Sequence, residues 1–502
     1  MDNNGLLIEP ARRVDAEEPL SASAARPCWR AEAAVPLVVD LDGTLVRSDL
    51  LAEEVVLALK HSPLSAFEML FWLRNGRAHL KSRIADRVTL DSEGLPYRRA
   101  VLEYLQAERA TGRQLVLATA ADERVARQVA DRLGLFDTVL ASDGEVNLSG
   151  EQKRRHLVSA FGEKGFDYVG NAARDLAVWS SARSAVLVGP TARLRRRAEG
   201  VAEVERVLDD DPTTLLDYLQ ALRLHQWLKN LLVFVPLVAA HRLGEVTPLA
   251  QASTGFLAFG LCASSVYLFN DLMDLEADRH HPRKRARPLA AGRVPVTMAP
   301  ALILILLAGA LVVSLGLPKL FLGALGAYVV LNVAYSIWLK SVPVLDVLIL
   351  AGLYTLRIMA GAAAIGVWPS TWLLAFSMFL FLSLALVKRY AELMAMRALD
   401  GAKAKARGYR LDDAELLASL GGGAGYLAVL VLALYVDGAA RVLYSRPQLI
   451  WVLCVLLLYW ISHLWLMAHR KRMHDDPLVF AIRDRTSQVL LGLMAVVLIG
   501  AI

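Results

Sequence analysis

The chain has 502 residues, 56% of them hydrophobic, and a mean hydropathy of +0.41, which excludes an ordinary water-soluble enzyme along its whole length. The net charge of +6 does not point to nucleic acid, because Lys and Arg gather beside apolar runs, where they orient membrane helices. Cys28, Cys262 and Cys454 are far apart and show neither disulfide nor metal spacing.

Residues 1–34 read as a flexible polar leader, since "MDNNGLLIEPARRVDAEEPL" lacks the long apolar stretch of a signal peptide. An α/β domain is expected over 35–190. "VPLVVDLDGTLVRSD" (35–49) is an apolar strand that ends in D-x-D-G-T. Asp40 and Asp42 would stand at the C-terminal end of that strand, where open α/β sheets bind ligands. A carboxylate there can attack phosphorus while Mg²⁺ shields the charge. "LVLATAA" (115–121) gives a second strand, with the hydroxyl of Thr119; "GEQKRRHL" carries Lys153, and "FDYVGNAARDLAVW" (166–179) carries Asn171 and Asp175.

These motifs resemble the haloacid dehalogenase superfamily of phosphatases. The resemblance implies a Rossmannoid sheet with a helical cap over about 50–105. It implies Asp40 as nucleophile, Asp42 as general acid/base, and Thr119 and Lys153 on the phosphoryl group. Asp40, Asp42, Asn171 and Asp175 would hold Mg²⁺. The chain departs from the usual G-D pair with Gly170-Asn171, and Asp175 follows four residues on. A domain that keeps the fold without the activity is the competing reading.

Residues 191–222 read as a linker, and the amphipathic stretch 212–227 as a helix lying on the membrane surface. From 223 to 502 an all-α membrane bundle is expected. Its nine spans fall at 228–241, 250–270, 298–316, 319–338, 344–365, 370–387, 415–436, 448–468 and 486–502. With the N-terminus inside, the loops at 271–297, 339–343, 388–414 and 469–485 carry 19 Lys/Arg, against 3 on the opposite side. That bias predicts an integral plasma-membrane protein whose N-terminal domain faces the cytoplasm.

At the end of the second span, "NDLMDLEADRHHPRKRARP" (270–288) places Asn270, Asp271, Asp274 and Asp278 at helical spacings. On one helix face they would repel one another unless a hard cation such as Mg²⁺ joined them to a substrate phosphate. The motif resembles the first aspartate-rich motif of the UbiA superfamily of intramembrane prenyltransferases. "RLHQWLKNLLVFVPL" (223–237), "HPRKRARPLAAG" (281–292), "YSIWLKSVPVLDVLILAGLYTLRIMAG" (335–361) and "KRYAEL" (388–393) resemble the branch typified by decaprenyl-phosphate phosphoribosyltransferase.

That branch implies phosphoribosyl pyrophosphate as donor and a polyprenyl phosphate as acceptor. The second D-x-x-x-D motif of the prenyl-diphosphate transferases is missing: Asp346 stands alone, and the later helix end has Lys388, Arg389 and Glu392. The expected donor-binding groups are Lys229, Asn230, Arg279, Lys284, Arg285, Arg287, Tyr335, Lys340, Arg357, Lys388 and Arg389. Arg357 lies deep in a span, where a charge is costly and must face a cavity or a partner. Two other functions remain open: transfer of an isoprenoid from a prenyl diphosphate, and a transporter or scaffold with an inactive phosphatase-like domain.

Overall fold

The computed structural model describes residues 35–209, 213–397, 408–438, 440–473 and 476–501; the expected leader lies outside them. The N-terminal half is built on one parallel sheet of β1 (Leu37–Val39), β2 (Leu115–Asp122), β3 (Thr138–Ser142), β4 (Asp167–Gly170), β5 (Ser184–Val188) and β6 (Glu203–Leu208). The strand order is β3-β2-β1-β4-β5-β6. β1 pairs with β2 and β4, with Leu37 opposite both Leu115 and Asp167. Alternate residues feed two cores. Leu37, Val39, Leu115 and Leu117 face one layer of helices, while Val38, Val116 and Ala118 face the other. Both faces are thus covered, and this explains why these strands are continuous apolar runs.

Between β1 and β2 lie four helices: α1 (Leu50–His61), α2 (Ser65–Leu73), α3 (Arg77–Ala85) and α4 (Arg99–Ala110). Asp49 caps α1 by accepting the Ala52 N–H at 3.0 Å. The remaining crossovers contain α5 (Glu123–Leu133), α6 (Glu151–Phe161), α7 (Leu176–Trp179) and α8 (Ala192–Glu199). The sheet runs past the expected boundary at 190, because β6 pairs along the whole of β5.

The membrane half begins with α9 (Leu215–Ala221), a 3₁₀ stretch at Leu224–Phe234 and α10 (Val235–Ala239). It continues through α11 (Val246–Met273), α12 (Leu275–His280), α13 (Ala299–Ser314), α14 (Lys319–Ile337), α15 (Leu345–Ala364), α16 (Thr371–Arg397), α17 (Ala414–Asp437), α18 (Ala440–Leu443), α19 (Ile450–His469), α20 (Pro477–Arg483) and α21 (Arg485–Ala501). Among the described residues seven helices are long and apolar enough to cross a membrane; α20 and α21 form an eighth only as a pair bent by 88°.

Nine spans are therefore not found. The segment expected at 228–241 is a short apolar stretch wedged among the other helices. Gly260 lies under the Trp227 ring, where a Cβ would come within 2.7 Å, and Gly361 lies against the Val233 carbonyl, where a Cβ would come within 2.0 Å. Only glycine admits a ring or a backbone so closely.

The two halves touch along α1. Glu53 of α1 receives both guanidinium nitrogens of Arg279, at 2.7 and 2.5 Å, and both side chains are buried. Asp91 meets His280, and Gly292 (φ +67°) fits against the Arg47 side chain. Ala52 and Val56 of α1 pack into an apolar cluster that includes Leu272, Leu275 and Val296, with Tyr218 of α9 and Leu302 and Ile303 of α13 at its edge.

Candidate active sites

In the N-terminal half, the connection out of β1 runs to one side of the sheet and the connection into β4 returns to the other. The loop after β1 is therefore at the topological switch point. Asp40 sits there, buried. Lys153 of α6 donates to Asp40 Oδ1 at 2.6 Å and to the Tyr168 hydroxyl at 3.0 Å. The Thr44 hydroxyl lies 3.2 Å from both Asp40 Oδ2 and Asn171 Oδ1, so these two oxygens face a common point. Gly43 (φ +75°) makes room for this, since a Cβ would come within 2.4 Å of the Asn171 amide. Thr119, fully buried on β2, accepts the Ala121 N–H at 3.0 Å.

Asp42 and Asp175 are turned elsewhere. Asp42 Oδ1 accepts the Leu50 N–H at 2.9 Å, and burial, reinforced by Asp49, pushes its pKa up to about 7. Asp175 Oδ2 accepts the N–H groups of Asn171 (3.1 Å) and Ala172 (2.9 Å), and Oδ1 accepts the Tyr168 hydroxyl. Burial and the neighbouring Asp40 raise it to about 6. Asp175 thus shapes the loop that presents Asn171. The oxygens that fit a hard cation are those of Asp40 and Asn171, and Mg²⁺ accepts so small a set because it keeps several waters. Among the described residues, no three His, Cys, Asp or Glu side chains gather as a metal site in either half.

The cap contributes two groups that the sequence did not single out. Lys81 of α3 reaches the Ala120 carbonyl at the end of β2 and Asn147 Oδ1 at 2.9 Å. Glu54 of α1 is buried, and its Oε1 has no hydrogen-bond partner among the described residues. Burial, then Asp122 and Asp42, push it up to about 8. Both lie in a stretch that reads only as "helical cap", and a lone Lys or Glu on an amphipathic helix carries no signal of its own.

In the membrane half, a cavity of about 230 Å³ opens between α11, α14, α15 and α16 and the start of α20. The acidic motif does not act there as one face. On one continuous helix the four positions would fall within about 100° of one another, but the helix breaks at Asp274, between α11 and α12, so Asp278 belongs to a separate helix. Asn270 and Asp274 line the cavity, joined at 3.1 Å; Ser336 donates to Asn270 Oδ1 and Lys340 pairs with Asp274. Asp271 and Asp278 are buried beside it. Arg287 bridges the two, and Arg223 grips Asp271 from a left-handed backbone position (φ +52°). The four-residue metal face expected from spacing is thus split by two arginines.

Lys229, Lys284, Arg287, Tyr335, Arg357 and Lys388 also line the cavity. Lys229 and Lys388 converge on Asp476, at 2.8 and 3.5 Å, where the Tyr354 hydroxyl also donates at 3.3 Å. Asp476 was missed. Its "DDPLVF" setting marks it only as the cap of a helix that starts with Pro477. Arg357 is paired: Asn230 Oδ1 (3.1 Å), the Leu353 carbonyl (2.8 Å) and the Tyr328 hydroxyl (3.0 Å) satisfy its guanidinium. Asn230 is fully buried as its partner and is outside the cavity lining.

Arg389 is likewise committed. It meets Asp346, Glu392 and the Tyr335 hydroxyl (2.8 Å), and the Tyr409 hydroxyl donates to Asp346 at 2.6 Å. The position of a second acidic motif thus holds a buried ion pair. Arg279 is held by Glu53 and Arg285 is exposed in the loop, so neither faces the cavity as expected.

Comparison with known proteins agrees with this division. The model of the haloacid dehalogenase-like hydrolases matches residues 37–178, and that of the UbiA prenyltransferase family matches residues 231–483. The chain belongs to the UbiA prenyltransferase family. This UbiA-family chain is 38% identical over 466 residues to the uncharacterized protein y4nM of Sinorhizobium fredii, covering 92% of one chain and 90% of the other. It is 39% identical over 291 residues to the nodulation protein NoeC of Azorhizobium caulinodans, covering 55% of this chain and 91% of that protein. A decaprenyl-phosphate phosphoribosyltransferase of Mycolicibacterium smegmatis is 41% identical over 179 residues, which are 35% of this chain and 56% of the relative. The protein is an integral membrane enzyme, a UbiA-family transferase fused to a haloacid dehalogenase-like hydrolase domain.

Proposed function

We propose that the membrane half transfers a 5-phosphoribosyl group from phosphoribosyl pyrophosphate to a polyprenyl phosphate, and that the hydrolase domain removes a phosphate from the lipid product on the cytoplasmic side. The observation that carries the reading is the cavity's composition. It joins the oxygens of Asn270 and Asp274 to Lys229, Lys284, Arg287 and Lys388, while the place of a second acidic pair is taken by Asp346–Arg389. Such a site suits a donor with a diphosphate and a further phosphate better than an isoprenoid diphosphate.

Asn270 and Asp274 would hold Mg²⁺, which would supply positive charge for the departing diphosphate. Lys229 and Lys388 would take phosphate oxygens as point charges, and Arg287 would grip them through its planar fork. The C1–O bond of the ribose breaks as the lipid phosphate oxygen attacks, so catalysis rests on positioning and charge.

In the hydrolase domain, Asp40 would attack phosphorus. The P–O bond to the lipid-borne sugar breaks, and protonated Asp42 delivers its proton to the leaving oxygen. Water then releases phosphate from Asp40, with Lys153 and Thr119 holding its oxygens.

The test uses membranes containing the protein, Mg²⁺, polyprenyl phosphate and ribose-labelled phosphoribosyl pyrophosphate. Label enters the lipid fraction with wild type and falls at least a hundredfold with Asp274→Ala. Asp40→Asn leaves transfer intact, and its lipid product keeps one more phosphate. Label entering lipid only from a prenyl diphosphate donor would overturn the assignment.

A further inference from the structure

Helix α2 reads "SAFEMLFWL" and, apart from Ser65 and Glu68, is apolar on both its inner and outer faces. Its inner face, with Met69 and Trp72, packs on Ala58, Ile84 and Val88 of the cap. Its outer face carries Leu64, Phe67, Leu70 and Phe71, each between 65% and 73% exposed. A helix apolar on both faces is stable when both are covered, and four large neighbouring side chains are unlike the scattered exposures of an ordinary surface.

The fold indicates what covers them. The preceding helix, α1, already packs through Ala52 and Val56 into the cluster edged by Leu302 and Ile303, in the first turns of the spanning helix α13. The cap is therefore seated where the chain enters the membrane. Tyr218 of α9 packs at the edge of that cluster, and α9 leaves Leu215 and Leu216 exposed. Charge agrees: exposed Arg74 and Arg77 flank the end of α2. Glu68, the single acid between His61 and Arg77, is neutralised by Arg87. An apolar face with two phenylalanines, edged by arginines and following directly on a helix packed against the membrane half, is the pattern of a segment lying in a bilayer interface.

We propose that the cap of the hydrolase domain is itself a membrane-binding element, with Leu64, Phe67, Leu70 and Phe71 inserted among the lipids around the transferase. The cap that supplies Glu54 and Lys81 to the hydrolase pocket is then held at the level of lipid headgroups. A phosphate carried on a lipid reaches the pocket without leaving the bilayer, and a soluble phosphate ester gains nothing from the arrangement.

The experiment uses the full chain in nanodiscs of phosphatidylcholine and phosphatidylglycerol, with Cys28→Ser to remove the one cysteine outside the buried pair. A single cysteine replaces Leu70 or, as a control in the loop that leads into β4 at the N-terminal ends of the strands, exposed Glu163; each carries an environment-sensitive fluorophore. Lipids with a quencher high on the acyl chain quench the Leu70→Cys label several-fold more than the Glu163→Cys label. Adding Phe67→Glu and Phe71→Glu, both at exposed positions, abolishes that difference while the thermal midpoint of the hydrolase domain is kept. Equal quenching at the two positions overturns the proposal. So does a Leu70→Cys label shielded from lipid by cross-linking to a second copy.

Discussion

Asp476 anchors two lysines, and the nearer of them, Lys229, stands 247 positions away in sequence. Spacing arguments find residues that share a helix or a strand end. They found Asn270 with Asp274, whereas the family resemblance grouped Asp40 with Thr119 and Asn171, and in the fold three adjacent parallel strands end side by side there. They do not find a carboxylate delivered by a helix cap from the far end of the chain. Nor did spacing reveal that Arg287 and Arg223 neutralise Asp271 and Asp278, since partner choice is settled by packing. Lys229→Met leaves buried Asp476 short of its nearest cation and is expected to destabilise the membrane half by about 3 kcal/mol, read as a lower midpoint of thermal unfolding in detergent. Lys229→Met with Asp476→Leu restores the midpoint but not transfer, if Lys229 holds substrate phosphate. Recovery of transfer in the double variant would reduce Lys229 to a structural role. Glu54 offers a second residue-level test. Its pKa is raised to about 8 in the fold, from an ordinary value of 4.5, so the folded domain holds a proton that the unfolded chain releases. The stability from that protonated state is full below about pH 4 and is lost as pH rises through about 8. Glu54→Gln, which mimics the protonated form, raises stability at pH 8 by at least about 1 kcal/mol and flattens the decline between pH 5 and pH 8. An unchanged pH profile of the melting midpoint would show that Glu54 titrates normally.

Helix α1 ties the two catalytic halves together within little more than one turn. Leu50 donates its N–H to Asp42, Glu53 binds Arg279 in the acidic-motif loop, and Glu54 turns into the hydrolase pocket. Successive helical residues point about 100° apart, so neighbours such as Glu53 and Glu54 naturally serve different faces. The sequence expectation placed Arg279 on substrate, because a basic residue beside the motif suits phosphate equally well; the contact with Glu53 depends on how two domains dock, which neither segment encodes alone. Arg279→Ala leaves Glu53 buried without its partner. It is expected to cost about 3 kcal/mol at the interface, seen as faster amide exchange over Leu50–His61 and residues 279–290. Transfer falls only a few-fold, because Arg279 does not line the cavity. Arg279→Lys does not restore exchange protection, since an ammonium cannot make the two parallel bonds. A hundredfold loss of transfer with normal exchange would return Arg279 to the substrate. At this same scale, the apolar runs located the strands and most spans. The segment near 228–241 was misread because composition does not show that it winds as a 3₁₀ stretch and a five-residue helix, too short to cross.

One chain carries both catalysts, and that arrangement has a kinetic consequence under the proposed function. A phosphorylated lipid released into a membrane is diluted over its whole area, whereas a second site fixed to the first meets it at an effective concentration in the millimolar range. The buried contact along α1 removes the slack that a flexible linker would leave. The prediction is made for nanodiscs that hold one chain each, supplied with donor and polyprenyl phosphate. Wild type releases dephosphorylated lipid with little of the phosphorylated intermediate, while Asp40→Asn accumulates the intermediate. Discs with Asp40→Asn mixed with discs with Lys229→Met yield no completed product, because each lipid stays in its own disc. In continuous vesicles the same two variants complement one another only slowly, and the intermediate rises before the product. Arg279→Ala in single-chain discs separates tethering from docking. If the interface directs the handover, this variant accumulates intermediate although both sites are present. If proximity alone suffices, its product ratio matches wild type, and the ion pair between Glu53 and Arg279 serves stability rather than the order of the two reactions.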